Sequence, residues 1–138
     1  MGLEDLYYNF LLVWAAVAIV VFFSLFYKTA PYGRYHKHRS SLKLPSRLGW
    51  IVMESPSVIG ILLFLLIFQK SIGSVEVILC SVWLIHYVHR SFIWPFRAKL
   101  TNKKMNISIV CMAFLFNVVN VSIQGIWIFM IGEYAEEW

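Results

Sequence analysis

Four long apolar stretches alternate with short polar segments along the sequence, and this pattern predicts the elements of the fold. A helix needs about 20 mostly apolar residues to cross a bilayer, and each stretch is close to that length. The stretches cover about residues 9–27, 49–68, 75–94 and 107–131. The pattern therefore predicts an all-α membrane protein of one domain with four transmembrane helices, joined on one side by polar loops at residues 28–47 and 95–106.

The second stretch contains a polar interruption, Glu54-Ser55-Pro56-Ser57. Proline cannot donate a helical hydrogen bond, and it disfavours helical angles in the residue before it. We therefore expect the second helix to be broken near Glu54–Pro56. An alternative is a short interfacial segment that ends at Ser55, with the helix beginning at Pro56 as its first-turn proline.

The placement of charge predicts the membrane topology. The chain carries 12 Lys and Arg against 7 Asp and Glu, a formal net charge of +5. Eleven of the 12 basic residues lie in residues 28–47 and 90–104, and Glu54 is the one acidic residue on that side. Because cytoplasmic loops carry the excess of Lys and Arg, both basic loops are expected inside and both termini outside. Basic residues confined to short loops between spans argue against a nucleic-acid partner.

The composition excludes a soluble domain and gives no sign of a metal site. Hydrophobic residues make up 60% of the chain and charged residues only 14%, whereas about a quarter of a soluble domain is charged. Cys80 and Cys111 lie inside apolar stretches, where thiols behave as small hydrophobic groups. We therefore expect neither a disulfide nor a metal ligand set.

A polar cluster, His86-Tyr87-Val88-His89-Arg90, lies near the end of the third apolar stretch. Ionisable side chains at membrane depth are costly, and they therefore mark candidate functional sites. On a helix, Tyr87 and Arg90 are three residues apart and share one face. The other explanation is that the histidines and the arginine simply extend to the membrane interface.

Glu54 and Tyr87 are predicted to lie at a similar depth, since each is one or two helical turns inside a basic residue. A carboxyl group in a low dielectric can stay protonated, although a nearby arginine favours its ionised form. A neutral carboxyl and a phenol would together bind and polarise a ligand carbonyl. Such a pair would activate an enone for attack by hydride.

Several short motifs follow one another over nearly the whole chain. They are Tyr32-Gly33-Arg34, Leu44-Pro45-Ser46-Arg47-Leu48-Gly49-Trp50, Glu54-Ser55-Pro56-Ser57, His86-Tyr87-Val88-His89-Arg90-Ser91-Phe92-Ile93-Trp94-Pro95, Asn120 with Gln124-Gly125, and Tyr134-Ala135-Glu136-Glu137-Trp138. In order and spacing, this set resembles the N-terminal half of the steroid 5α-reductase family (3-oxo-5α-steroid 4-dehydrogenases). The block around Tyr87 and Arg90 is its most specific part.

The resemblance implies roles for four residues. Glu54 and Tyr87 would hold the 3-keto group of a steroid substrate. Trp50 and Arg90 would lie near a bound nicotinamide cofactor. Hydride chemistry belongs to that cofactor, so a reductase of this family must also bind NADPH.

The chain also departs from the family pattern. Ser55 stands where the family usually has leucine, and Val121 stands where it usually has glycine. Family members are about twice as long, and their second half carries further spans and most of the NADPH-binding residues. This sequence stops at Trp138 and has no glycine-rich phosphate-binding loop. We therefore expect it neither to bind NADPH alone nor to form a complete reductase.

Two kinds of function fit this pattern. The leading hypothesis is a non-catalytic accessory subunit whose third and fourth spans pack on other subunits of a larger membrane assembly, such as a respiratory-type complex of the mitochondrial inner membrane. The alternative is one half of a split NADPH-dependent 3-oxo-5α-steroid 4-dehydrogenase or enone-lipid reductase of the endoplasmic reticulum, or a fragment of the full-length enzyme. Besides contact with membrane lipids, both allow a sterol or acyl lipid in a groove between the second and third spans.

Overall fold

The computed structural model describes residues 2–27, 42–69 and 72–134. Their elements are α1 (Leu3–Tyr27), β1 (Lys43–Pro45), α2 (Ser46–Phe68), α3 (Ser74–Val88), a π-helical segment (His89–Ile93), α4 (Trp94–Arg97), β2 (Lys104–Asn106), α5 (Ile107–Ile126) and a second π-helical segment (Trp127–Ile131). Among these residues, four helical stretches are long and apolar enough to cross a membrane, namely Leu3–Tyr27, Ser46–Phe68, Ser74–Arg97 and Ile107–Ile131. The prediction of a helical protein with four spans is confirmed.

The chain divides into two compact units, Met1–Ser40 and Ser41–Trp138. In the first unit α1 begins at Leu3, earlier than the predicted start, because Glu4 and Asp5 are favourable in the first turn of a helix. The backbone nitrogen of Gly2 lies 2.9 Å from Oδ2 of Asp5, which caps this end. Most side chains of α1 are exposed, as expected for a helix whose surroundings are lipid.

In the second unit, α2 and α5 pack side by side in the same direction. Their contacts advance together along both helices, from Met53 with Asn117 to Phe64 with Gly125. The contacts of α2 with α3 and the segment after it run in the opposite order, so α3 is antiparallel to α2. The buried core between these three helices and the second π-helical segment contains Ile61, Cys80, Val121 and Ile128.

Two glycines allow α2 and α5 to approach closely. A Cβ atom on Gly60 would lie 2.6 Å from Cγ1 of Val121, and one on Gly125 would collide with the ring of Phe64. Small residues at such contacts let the backbones of membrane helices pack directly against each other. The Phe64 ring is itself stacked on Phe129, with ring centroids 5.8 Å apart, so it has little room to move away.

The predicted break in the second span is wrong, because α2 continues through Pro56 without interruption. Proline leaves the carbonyl of Val52 without its helical donor. The hydroxyl of Ser55 donates to that carbonyl at 3.1 Å. On the next residue, the side-chain amide of Asn117 donates to the carbonyl of Met53 at 2.8 Å. A hydroxyl on the same helix and an amide on its neighbour thus support the backbone where the proline weakens it.

The third span also differs from the prediction at its end, since it continues past Pro95 to Arg97. The preceding segment, His89–Ile93, is a π-helix, and the N–H of Trp94 donates to the carbonyl of His89 five residues earlier. A regular turn would bring the proline ring against the carbonyl of Ser91. The wider π turn gives the ring space, and π segments of this kind are frequent at functional sites.

A short antiparallel ladder, not predicted from the sequence, joins the ends of the two basic loops. The strands β1 and β2 pair in the register Lys43↔Asn106, Leu44↔Met105 and Pro45↔Lys104. The spans α2 and α5 begin directly after the strands, at Ser46 and Ile107. The ladder therefore brings the starts of both helices together at the basic end of this unit. The remainder of the first basic loop, with its Tyr32-Gly33-Arg34 motif, lies outside the described residues.

Candidate functional site

An ion pair between the second and third spans forms the centre of the candidate site. Nη2 of Arg90 lies 2.8 Å from Oε1 of Glu54. The Glu54 side chain is only 5% exposed, whereas the Arg90 side chain is 45% exposed. One partner is therefore desolvated and the other remains accessible. Removing the arginine would therefore cost folding stability, because the carboxylate would stay buried without its partner.

The buried side of this pair is held by a hydrogen-bond network across three helices. Nδ2 of Asn117 lies 3.4 Å from Oε2 of Glu54, in addition to its bond to the backbone of α2. The hydroxyl of Ser57 donates to Oδ1 of Asn117 at 3.0 Å, and the indole N–H of Trp83 donates to the carbonyl of Ser57 at 2.9 Å. Both Ser57 and Asn117 are buried, so each group depends on these partners.

Tyr87 is held by a second asparagine of α5, one turn after the first. Nδ2 of Asn120 donates to the Tyr87 hydroxyl oxygen at 3.2 Å. The phenol ring packs on Trp83, with ring centroids 4.6 Å apart. Because the phenol oxygen accepts in this bond, its own O–H can donate to a ligand. The two asparagines of α5 thus set the positions of Glu54 on α2 and Tyr87 on α3.

An aromatic pair lies beside Arg90. Its guanidinium carbon lies 5.2 Å from the ring centroid of Trp50. Trp50 in turn packs on Trp94, with ring centroids 4.5 Å apart. A guanidinium over an indole is a cation–π arrangement, which holds the cation without using all of its N–H donors. Arg90 is therefore fixed in place but still able to bind an anionic or carbonyl group.

The structure brings the four predicted site residues into two groups. Glu54, Arg90 and Trp50 form one, and Tyr87 with its asparagine partner forms the other. The histidines of the same motif, His86 and His89, are exposed. Sequence reasoning missed Asn117, which belongs to none of the motifs. The signal available for it was an amide in the middle of an apolar span, where a polar group is costly without a partner.

An apolar groove lies on the other face of the second span, between α2 and α5, with a cavity volume of about 440 Å³. Its lining includes Ile59, Leu63 and Phe114. The hydroxyls of Ser55 and Ser122 also line it, but both donate to carbonyls of their own helices. The groove therefore offers a ligand apolar contact rather than hydrogen bonds. The groove that the sequence predicts is a different one, between the second and third spans, and it stays a prediction.

The last motif begins at Tyr134, and its other four residues lie outside the described chain. The Tyr134 hydroxyl is buried and has no hydrogen-bond partner among the described residues. Loss of solvation raises the pKa of this hydroxyl, and Glu76 and Cys80 raise it further. Tyr134 is therefore neutral at physiological pH and contributes no charge to this end of the unit.

The chain is similar to several curated steroid-converting enzymes. It is 28% identical over 134 residues to the steroid 5-alpha-reductase DET2 of Solanum lycopersicum, covering 94% of this chain and 52% of the relative. It is 34% identical over 104 residues to the DET2 protein of Arabidopsis thaliana, covering 72% of this chain and 40% of the relative. The 3-oxo-5-alpha-steroid 4-dehydrogenase 1 of Bos taurus is 31% identical over 130 residues, with coverage of 89% and 49%.

The chain is a homologue of the steroid 5α-reductases. No family model matches the sequence. The chain spans about half the length of the curated relatives it matches, which is consistent with their N-terminal half. Together with four helices of sufficient length and hydropathy, this homology identifies an integral membrane protein.

Arg90 and Trp50 have the chemistry to contact the nicotinamide end of NADPH, the cofactor that a steroid 5α-reductase would require. The guanidinium is accessible and lies over Trp50, so it offers a cation beside a flat aromatic surface. In residues 2–27, 42–69 and 72–134 there is no glycine-rich loop that could hold the phosphate groups. Arg90 and Trp50 are therefore the described residues that could contact such a cofactor.

Proposed function

We propose that this chain forms the carbonyl-binding side of an NADPH-dependent reductase acting on a 3-oxo-4-ene steroid or another enone lipid. The rest of the nicotinamide site would come from further sequence of the same polypeptide or from a second chain. The observation that supports this most is the anchoring of the Tyr87 phenol by Asn120, in a homologue of steroid 5α-reductases. The matching compartment is the endoplasmic reticulum.

In this proposal Tyr87 donates its O–H to the 3-keto oxygen of the substrate. Conjugation makes the β-carbon of an enone more electrophilic when the carbonyl is polarised, and the phenol stabilises the negative charge that develops on the oxygen. When bound, NADPH would supply the hydride that adds to the β-carbon, and a proton from water would add to the α-carbon. Asn120 keeps the phenol oxygen in position, so the donor does not have to reorient as the charge develops.

In this proposal Glu54 has a different role from the one expected from the sequence. Its two oxygens face the Arg90 guanidinium and the Asn117 amide, which are both donors. A carboxylate in this arrangement acts as an acceptor, and it holds Arg90 over Trp50. Arg90 and Trp50 would then contact the nicotinamide end of the cofactor.

A non-catalytic membrane subunit is the second candidate, and the burial of Glu54 favours it. The ion pair and its network join α2, α3 and α5, which is also what a purely structural role requires. Two exposed histidines of the third span, His86 and His89, would then contact neighbouring helices of a larger assembly, for example in the mitochondrial inner membrane. NADPH would have no role in this case.

The two candidates are separated by substituting Tyr87 in the native complex or the full-length polypeptide that contains this chain. We expect NADPH-dependent reduction of a 3-oxo-4-ene steroid, and we expect Tyr87→Phe to lower kcat at least 100-fold, the usual effect of removing one such donor. Tyr27→Phe, at a position 89% exposed on α1, is the matched control and should be unaffected. A complex that assembles normally but shows no reduction would favour the structural subunit.

A further inference from the structure

We propose that the outer face of the β1–β2 ladder binds the phosphate of an anionic phospholipid. Residues that are opposite in an antiparallel pair point to the same side of the sheet. Leu44 and Met105 are opposite each other, and Met105 packs against Gly49 at the start of α2. The ladder therefore turns this pair toward the helices, and Lys43 and Lys104 lie together on its other face.

The two lysines are close enough to share one anion. Lys43 pairs with Asn106 and Lys104 pairs with Pro45, so the lysines are diagonal neighbours, with a typical separation of about 7–8 Å. Lys104 is exposed and Lys43 is half-buried. Like charges at this distance repel each other, and an anion between the two ammonium groups would convert that repulsion into attraction.

The acidic side chains that the structure describes in this unit lie away from this face. In residues 42–69 and 72–134 the acidic residues are Glu54, Glu76 and Glu133. Glu54 is paired with Arg90 inside the helices. Glu76 begins α3 and Glu133 follows the last span, so both lie at the opposite ends of the helices. A further basic side chain next to β2, Lys103, is exposed and adds to its positive charge.

The position of the ladder favours a lipid headgroup over a soluble anion. The strands continue directly into two spans, so their lysines lie where a span meets the headgroup region. Exposed apolar side chains are found at the same level, namely Leu42 at 80% and Phe96 at 61% exposure. A phosphate on the lysines would leave the acyl chains of the same lipid beside these groups. Anionic phospholipid satisfies both features, whereas inorganic phosphate satisfies only the first.

The test uses the purified protein in nanodiscs of phosphatidylcholine and phosphatidylglycerol, with native mass spectrometry to count retained lipids. The variant Lys43→Gln/Lys104→Gln removes the ladder charges, and Arg97→Gln/Lys99→Gln removes the same charge outside the ladder. Each lysine at an anionic surface is worth about 1 kcal/mol, so we expect the ladder variant to lose roughly 30-fold in phosphatidylglycerol retention. The control variant should lose less than threefold.

Three results would overturn this site. Equal loss in both double variants would show a general effect of net charge. Retention of phosphatidylcholine equal to that of phosphatidylglycerol would show that no anion is selected. Displacement of the lipid by millimolar glycerol 3-phosphate would show a site for a soluble phosphate instead. None of these outcomes bears on Tyr87, so the ladder site and the proposed reductase function succeed or fail separately.

Discussion

Arg90→Ala is expected to destabilise the protein by about 3 kcal/mol, and Glu54→Gln by only about 1 kcal/mol. Without Arg90, the carboxylate of Glu54 remains at 5% exposure, with only the weak 3.4 Å contact from Asn117. Without the Glu54 charge, Arg90 can turn its 45% exposed side chain outward to the membrane interface. Substitution of Arg90, the more exposed partner, should therefore cause the larger loss of folding stability.

Thermal and denaturant unfolding of each variant in the same micelles measures this asymmetry. His89→Ala, an exposed substitution next to Arg90, is the control and should change the free energy of unfolding by less than 0.5 kcal/mol. Equal losses for Arg90→Ala and Glu54→Gln, or a larger loss for Glu54→Gln, would mean that the carboxylate is not desolvated as its burial indicates.

Gly125→Leu is expected to prevent α2 and α5 from packing, with a loss of at least 3 kcal/mol, and Gly125→Ala to cost about 2 kcal/mol. Even one added carbon meets the Phe64 ring, which stacks on both Phe68 and Phe129. Since Asn117 and Asn120 are on the same helix, separation of α5 would also release Glu54 and Tyr87. The expected result is a lower melting temperature together with loss of the site.

A second substitution makes this prediction specific to the contact. In the Gly125→Ala variant, a second substitution Phe64→Leu removes the ring. It should recover at least half of the stability lost in Gly125→Ala, measured by the same unfolding curves. Gly73→Ala is the matched glycine control, because its new carbon would meet only the end of the flexible Glu76 side chain. If Gly125→Ala unfolds like the wild type, the close packing of α2 on α5 is not what the structure indicates.

The spans could be predicted from the sequence because membrane crossing depends on length and hydropathy, which are both visible in one dimension. The break at Pro56 was predicted wrongly because the hydrogen bonds that compensate for the proline come partly from another helix. Ser55 and Asn117 supply the hydrogen bonds that a proline removes, and Asn117 is distant in sequence. The ladder was missed because three-residue strands are too short to show the alternation that identifies a strand.

The two residues that depart from the family pattern, Ser55 and Val121, make defined contacts in this chain. Ser55 donates to the backbone carbonyl of Val52 in the turn that contains Pro56. Val121 is buried and packs where a Cβ on Gly60 would lie. The hydroxyl of Ser55 therefore supports α2 at its proline, and the side chain of Val121 fills the contact of α2 with α5.

The candidate site could be predicted only in part. The sequence placed Glu54 and Tyr87 at a similar depth, and helical spacing placed Tyr87 and Arg90 on one face. Neither pattern shows which side chains pair across helices, because pairing depends on the rotation of each helix about its axis. The structure pairs Glu54 with Arg90 and Tyr87 with Asn120. The roles of Glu54, Tyr87, Trp50 and Arg90 in substrate and cofactor binding stay predictions.

The polarisation of a ligand carbonyl by Tyr87 can be measured most directly by infrared spectroscopy, without any cofactor. A 3-oxo-4-ene steroid carrying carbon-13 in its 3-keto group would be bound to the protein in nanodiscs, and its carbonyl stretch compared between wild type and Tyr87→Phe. We expect a lower stretching frequency in the wild type than in lipid alone, and a return to the lipid value in Tyr87→Phe at saturating steroid. The same frequency in both proteins would contradict the proposal that Tyr87 binds the substrate carbonyl.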